Sequence, residues 1–218
     1  MAMNHSAFTI LLGGTLTPTA RLAAAVAGSR VIAADGGMRH AAVLGVVPEL
    51  WVGDFDSTEP ELLAQWPQVT RQPYPANKAE TDGEIAVAEA IDRGAGRLIF
   101  AGALSGERSD HALQHLVFGL SLAERGFDVL MTSGEEEAVP LLAGRRTLDL
   151  PAGTLFSVIG LTALDGLTIE NARYPLQDFH LPFGSSRTIS NVADGPVHFT
   201  LHAGKAIILA RPFDFSGA

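Results

Sequence analysis

Carboxylates recur in four short polar runs of this 218-residue chain: Asp35-Gly36-Gly37, Gly53-Asp54-Phe55-Asp56-Ser57, Lys78-Ala79-Glu80-Thr81-Asp82 and Arg108-Ser109-Asp110-His111. Asp54 and Asp56 stand two apart, so in extended backbone both carboxylates leave the same face. Carboxylates forced together raise one another's pKa, and a bound divalent cation removes that conflict. Magnesium suits such a pair best, because it takes oxygen ligands, keeps several waters and is completed by phosphates. The glycines of Asp35-Gly36-Gly37, together with Gly106 and nearby helix N-termini, can offer backbone N–H groups to those phosphates. Arg108 and Lys78 add positive charge, and Lys78 is one of only two lysines in the chain. Each residue also has a structural reading. Asp56 or Ser57 can cap a helix, Thr81 and Glu84 have capping-box spacing, and Asp82 and Asp110 suit the positive end of a helix dipole.

Several other chemistries are excluded. Without cysteine there is no disulfide, thiolate nucleophile or Cys-ligated metal centre. The formal net charge of −9 argues against a partner bound through nucleic-acid phosphates and against a basic membrane-surface role. Met1 to Ser6 carries no basic cluster and the apolar stretch after it is short, so the chain is expected to be a soluble cytoplasmic protein without signal peptide or membrane span. No G-x-x-x-x-G-K-[ST] loop occurs, and Gly13-Gly14-Thr15 does not extend to G-x-G-x-x-G. Ser57, Ser105 and Ser109 lack the G-x-S-x-G context of a nucleophilic serine. His111 and His115 are four apart but not in H-E-x-x-H, so His115 is expected to be a packed helix residue; His198 and His202 should face solvent. Trp51 and Trp66 are assigned to packing.

The elements that must position these groups follow from periodicity. Apolar runs at Phe8 to Leu12, Val31 to Ala34, Leu50 to Val52, Leu98 to Ala101 and Val129 to Met131 alternate with helical patterns. Those patterns lie at Thr19 to Ala27, Met38 to Leu44, Pro60 to Gln65, Gly83 to Arg93 and Ser109 to Arg125. Such alternation predicts a parallel, Rossmann-like α/β sheet with helices on both faces. In sheets of that kind ligands sit beyond the carboxyl ends of the strands. All the acidic runs fall at those ends. Beyond Leu142 to Arg145 the period changes: Val197, Phe199 and Leu201 alternate with His198, Thr200 and His202, the pattern of a half-buried strand. Thr154 to Leu161, Leu167 to Ile169 and Ala206 to Leu209 are further strands, and no long helix fits. Residues 1–142 are therefore expected to form an α/β domain and residues 143–218 a small all-β domain. The charge divides likewise: Asp35 to Asp110 holds thirteen acids against six bases, and Arg145 to the end holds six of each.

The run Ala34-Asp35-Gly36-Gly37, Leu44 to Leu50 and Gly53-Asp54-Phe55-Asp56-Ser57 resembles the opening signature of thiamin pyrophosphokinases. Lys78 to Glu84 is similar to that family's K-D-x-T-D-x-E, Arg108 to His111 to its R-x-D-H, Tyr174-Pro175-Leu176 to its Y-P-L, and Ser190-Asn191 to its S-N pair. The resemblance implies an α/β catalytic domain followed by a small β-sandwich, a homodimer, and transfer of a pyrophosphoryl group from ATP to thiamin with Mg²⁺. It further implies that Asp54 and Asp56 hold the metal, with Asp82 and Asp110 as additional ligands or water-mediated partners. Arg108 would act on the phosphoryl oxygens. Asp35, Gly36, Gly37, Lys78, Thr81 and His111 would lie along the nucleotide, with Tyr174, Ser190 and Asn191 against thiamin, the last two across the dimer interface. Two positions depart from the pattern: Ala79 replaces an Asp, and Ser105-Gly106-Glu107 replaces a Gly-Gly pair before the arginine. Two competing readings are a D-x-D nucleotide-sugar transferase built on Asp54-Phe55-Asp56, and a catalytically weak thiamin- or nucleotide-binding protein, which Ala79 would favour.

Overall fold

Apolar runs without polar alternation form the central strands of the computed structural model, which describes residues 6–56, 58–75, 77, 79–106 and 108–216. The chain divides into two compact units, Met1–His115 with Gly126–Gly134, and Leu116–Arg125 with Glu135–Ala218.

The first unit holds β1 (Ser6–Leu11), β2 (Arg30–Ala34), β3 (Leu50–Gly53), β4 (Thr70–Pro73), β5 (Ala95–Ala101) and β6 (Asp128–Thr132). They lie in the order β6-β5-β1-β2-β3-β4, and all five neighbouring pairs are parallel. Phe8, Ile10, Ile32, Leu98 and Ile99 are wholly buried, as parallel strands covered on both faces require. β4 was not expected from the sequence. Its residues, Thr-Arg-Gln-Pro, are mostly exposed, and it pairs only with β3 among the described strands. An edge strand needs no apolar face, and its proline is tolerated there.

The crossovers are short helices: α1 (Ala20–Val26), α2 (His40–Leu44), α3 (Pro60–Gln65) and α4 (Asp82–Asp92), followed by the longer α5 (Ser109–Glu124). The Thr19 hydroxyl caps α1 by accepting from Leu22 N. At α4 the expected capping box is complete: Glu84 N donates to Thr81 Oγ1 at 3.2 Å, and Thr81 N donates to Glu84 Oε2 at 2.8 Å. The single helix expected over Met38 to Leu44 is instead a 3-10 turn, Asp35–Arg39, leading into α2. That tight turn requires glycine at position 37, because a Cβ there would fall 2.1 Å from the Leu11 carbonyl oxygen. At the opposite ends of the strands, Glu49 accepts from Arg30 Nη2 at 2.7 Å and Arg93 Nη1 at 2.9 Å. Partial burial pushes the Glu49 carboxyl up, but the two arginines overcome this and hold it below its ordinary value. No helix of the described residues is long and apolar enough to cross a membrane.

The second unit is antiparallel: β7 (Glu137–Leu141), β8 (Gly144–Leu148), β9 (Leu155–Gly160), β10 (Leu164–Ala172), β11 (Leu176–Leu181), β12 (Asn191–Leu201) and β13 (Ala206–Arg211). The start of β12 pairs with β9, while Val197 to Leu201 pair with β8. Along that later half Val197, Phe199 and Leu201 are buried and His198 and His202 exposed, as the alternation predicts. Phe156 and Phe199 meet edge to face at 5.7 Å in this core.

Trp51 joins core to rim in the first unit. It is fully buried against Leu11, Leu22, Met38 and Val69, and its Nε1 donates to the Asp35 carbonyl at 2.9 Å. Trp51→Phe should lower stability by about 2 kcal/mol or more, from a packing defect plus a carbonyl deprived of its donor. An unchanged urea-denaturation midpoint would refute that account.

Candidate active site

From β1 the chain steps outward through β2, β3 and β4, then returns to the other side of β1 for β5 and β6. The direction of winding reverses between β1 and β5, and at such a reversal the two neighbouring loops diverge beyond the strand ends to leave a crevice. Here those loops are Leu12 to Thr15 and Gly102 to Arg108. They stay joined at their base: Leu12 N donates to Ala101 O at 2.8 Å, Gly14 N to Gly102 O at 3.1 Å and Thr15 N to Ser105 O at 2.9 Å. A Cβ on Gly14 would stand 2.2 Å from Ser105 O, so only glycine permits this approach.

Beside these loops lies the Asp35–Arg39 turn. Arg39 Nη2 donates to Gly13 O and, at 3.3 Å, to Gly14 O, while its Nη1 reaches Gly36 O at 3.3 Å. His40 Nε2 donates to Gly14 O at 2.8 Å. The sequence reading passed over Gly13, Gly14, Arg39 and His40. The available signal was a glycine pair directly after the first strand, set aside because it does not extend to the dinucleotide pattern.

Asp54 and Asp56 follow β3. The strand stops at Gly53, and Phe55 adopts φ 61°, turning its ring onto Trp51 at 5.2 Å. Strand geometry therefore does not carry both carboxylates out on one face as anticipated. They are related instead through a turn in which Asp56 N donates to Asp54 Oδ1 at 3.1 Å. Asp35 is their neighbour: a Cβ on Gly53 would lie 3.2 Å from the Asp35 Cα.

The starts of α4 and α5 approach each other. A Cβ on Gly83 would lie 3.0 Å from Leu12 Cδ2 and 4.0 Å from His115 Nε2. His111 and His115 stack edge to face at 6.4 Å, and His115 Nδ1 donates to Ala103 O at 3.0 Å. His115 is thus a packed helix residue, as expected. The Thr81 hydroxyl serves the helix cap and also contacts Glu84 Oε2 at 3.0 Å. Arg108 grips Asp110 with two bonds, Nε to Oδ1 at 2.9 Å and Nη2 to Oδ2 at 2.7 Å, both side chains being exposed. These bonds hold the Asp110 carboxyl well below the usual carboxylate range. Lys78, Ser57 and Glu107 lie outside the described residues.

Tyr174, Ser190 and Asn191 come together in the second unit. The Asn191 side chain accepts from Tyr174 N at 3.1 Å and Val192 N at 2.8 Å, and donates to Tyr174 O at 2.9 Å. Asn191 is 5% exposed, and this amide works as a clamp on the Tyr174 backbone. The Tyr174 ring is exposed, and Ser190, at φ 59°, donates its N–H to Ser157 Oγ at 3.0 Å.

Among the described residues no three His, Asp or Glu side chains already converge on a point that could hold a metal ion. The donor chemistry at Asp54 and Asp56 nevertheless fits Mg²⁺, which needs only one or two protein carboxylates when phosphates and water complete its shell. Asp110, with both oxygens on Arg108, would have to share or yield them.

Burial lowers the pKa of His115 and His40, outweighing the carbonyl bond each makes. The unfolded chain therefore binds these protons more readily than the folded one, so stability rises with pH. The stabilisation is complete above about pH 6.5, the unfolded value, and is lost as pH falls through it towards the lower folded values. Urea midpoints should drop between about pH 7.5 and 5.5, and the drop should shrink in His115→Gln. An equal drop in both proteins would refute this.

The sequence matches the family model Thiamin pyrophosphokinase, catalytic domain over residues 25–131, and the model Thiamin pyrophosphokinase, vitamin B1 binding domain over residues 146–206. No curated protein matches the chain. Among solved structures it is similar to thiamine pyrophosphokinase from Bacillus subtilis, with 21% identity, TM-score 0.83, and 96% of this chain and 100% of that one covered. Thiamin pyrophosphokinase from Geobacillus thermodenitrificans gives 25% identity and TM-score 0.81, covering 97% of this chain and 100% of that one. The yeast enzyme shares the fold at 11% identity, with TM-score 0.76 and coverage of 96% and 87%. Two domain models of one family, matched in order and together taking in most of the sequence, lead to one assignment: the chain belongs to the thiamin pyrophosphokinase family.

Proposed function

We propose that the chain transfers the pyrophosphoryl group of ATP to the hydroxyethyl oxygen of thiamin, releasing thiamin diphosphate and AMP, in the cytoplasm and as a homodimer. In this reading residues 1–142 are a Rossmann-like catalytic domain and residues 143–218 a β-sandwich that binds thiamin. The observation that carries it is that the segments bearing Asp54, Asp56, Asp82, Arg108 and Asp110 all follow the carboxyl ends of the parallel strands β3, β4 and β5.

When bound, Mg²⁺ would offset charge on the triphosphate and polarise its oxygens for in-line attack. Asp54 and Asp56 would hold it, with Asp82 and Asp110 at its edge. The Asp35-Gly36-Gly37 turn, Lys78, Thr81 and His111 would lie along the nucleotide. Arg108, its plane set by Asp110, would face the phosphoryl oxygens with a rigid fork of donors. Asn191 would act on thiamin through the Tyr174 backbone it clamps, leaving the exposed Tyr174 ring and Ser190 to touch it. A carboxylate of the acidic rim would take the proton of the thiamin hydroxyl. Two family domains in one chain leave the D-x-D sugar-transferase reading without support.

Incubation with thiamin, ATP and Mg²⁺, resolved by phosphorus NMR, should yield thiamin diphosphate and AMP. Thiamin monophosphate with ADP would mean a simple kinase, and binding without turnover would mean a binding protein. Asp54→Asn and Asp56→Asn should each lower turnover by about a hundredfold or more, with the circular dichroism spectrum unchanged. Wild-type turnover in either variant would overturn the metal assignment.

A further inference from the structure

An anion arriving at the β1 and β5 loops meets backbone that carries negative carbonyl ends as well as positive N–H ends. The N–H groups of Gly14 and Thr15 are already spent on β5-loop carbonyls, so the orientation of the remaining carbonyls decides how strongly the rim repels a triphosphate. Three of them, from Gly13, Gly14 and Gly36, are drawn to Arg39, and the Gly14 carbonyl also takes a bond from His40. One cation thereby bridges the loop after β1 and the turn after β2. His40 is 7% exposed, so its bond to Gly14 is shielded from competing water. Neither side chain is among the family motifs set out above, and neither makes a side-chain helix-cap bond.

We propose that Arg39 and His40 are positioning residues for the ATP triphosphate: they turn the Gly13, Gly14 and Gly36 carbonyls away from it and cover them with donors. The proposal rests on the reading of this crevice as an ATP site. It predicts a selective effect. Loss of either donor frees carbonyls towards the phosphates and weakens ATP, while thiamin is unaffected.

The test is calorimetric titration of ATP with Mg²⁺ into wild type, Arg39→Gln, Arg39→Lys, His40→Leu and His40→Gln, alongside thermal melting and steady-state kinetics. Losing a hydrogen bond that involves a charged or buried partner should weaken ATP binding roughly tenfold in Arg39→Gln and His40→Leu. The KM for thiamin should stay near wild type, while the melting temperature falls by roughly a few degrees for the bonds lost. His40→Gln, which keeps an N–H donor, should recover most of the affinity. Arg39→Lys should recover less, since one ammonium cannot span three carbonyls. Unchanged ATP affinity in Arg39→Gln and His40→Leu would overturn the proposal. So would an affinity loss accompanied by an equal rise in the thiamin KM, which would make these residues merely structural. Wild type that binds ATP without pyrophosphoryl transfer would refute the proposed reaction and leave the titrations to decide the positioning role. Wild type that does not bind ATP would overturn both.

Discussion

Everything at the carboxyl edge of the parallel sheet depends on how closely two backbones can approach beside β1. The Gly14 peptide lies against the carbonyls of Gly102 and Ser105 at a separation that leaves no room for a side chain. A larger residue would part the β1 and β5 loops at their base, and the turns resting on them would move as well. The Asp35–Arg39 turn presses on Leu11 through Gly37, and β3 meets that turn through Gly53 and Trp51. The acidic residues are thus held through a succession of backbone contacts that begins at one glycine.

Much of this was legible in the sequence, and the physics explains which parts. Parallel strands covered on both faces must be apolar throughout, so β1, β2, β3, β5 and β6 announce themselves. The Thr81–Glu84 spacing marks the start of α4 because the cap is a local interaction. β4, β8 and β11 are less visible, since each pairs on one side only among the described strands and is largely exposed. The site was legible in residue type more than in geometry. Asp54 and Asp56 could be picked out as a pair, but the positive φ of Phe55 and its edge-to-face contact with Trp51 are outcomes of packing that spacing does not encode. The inward-turned amide of Asn191 and the grip of Arg39 depend likewise on partners distant in sequence.

Charge also reads differently once placed in the fold. The excess of acids between Asp35 and Asp110 is not one field. Glu49 and Glu89 are engaged by arginines, Glu84 completes a cap, and Asp110 is gripped by Arg108. Asp54 and Asp56 are distinguished by making no such ion pair among the described residues; Asp54 accepts only the Asp56 backbone N–H within their turn. An acid-rich segment therefore separates into carboxylates that build structure and the pair proposed here to hold a cation.

The Glu49 bridge has a consequence for how such a protein can change. It links the beginnings of β2 and β3 to the end of α4, at the pole of the sheet away from the acidic loops. Strand alignment secured there does not have to be maintained by the residues at the other pole. The loops proposed to carry chemistry can then vary in sequence, as at Ala79, without loosening the strands beneath them. One end of the sheet serves as the foundation, and the other is left open to revision.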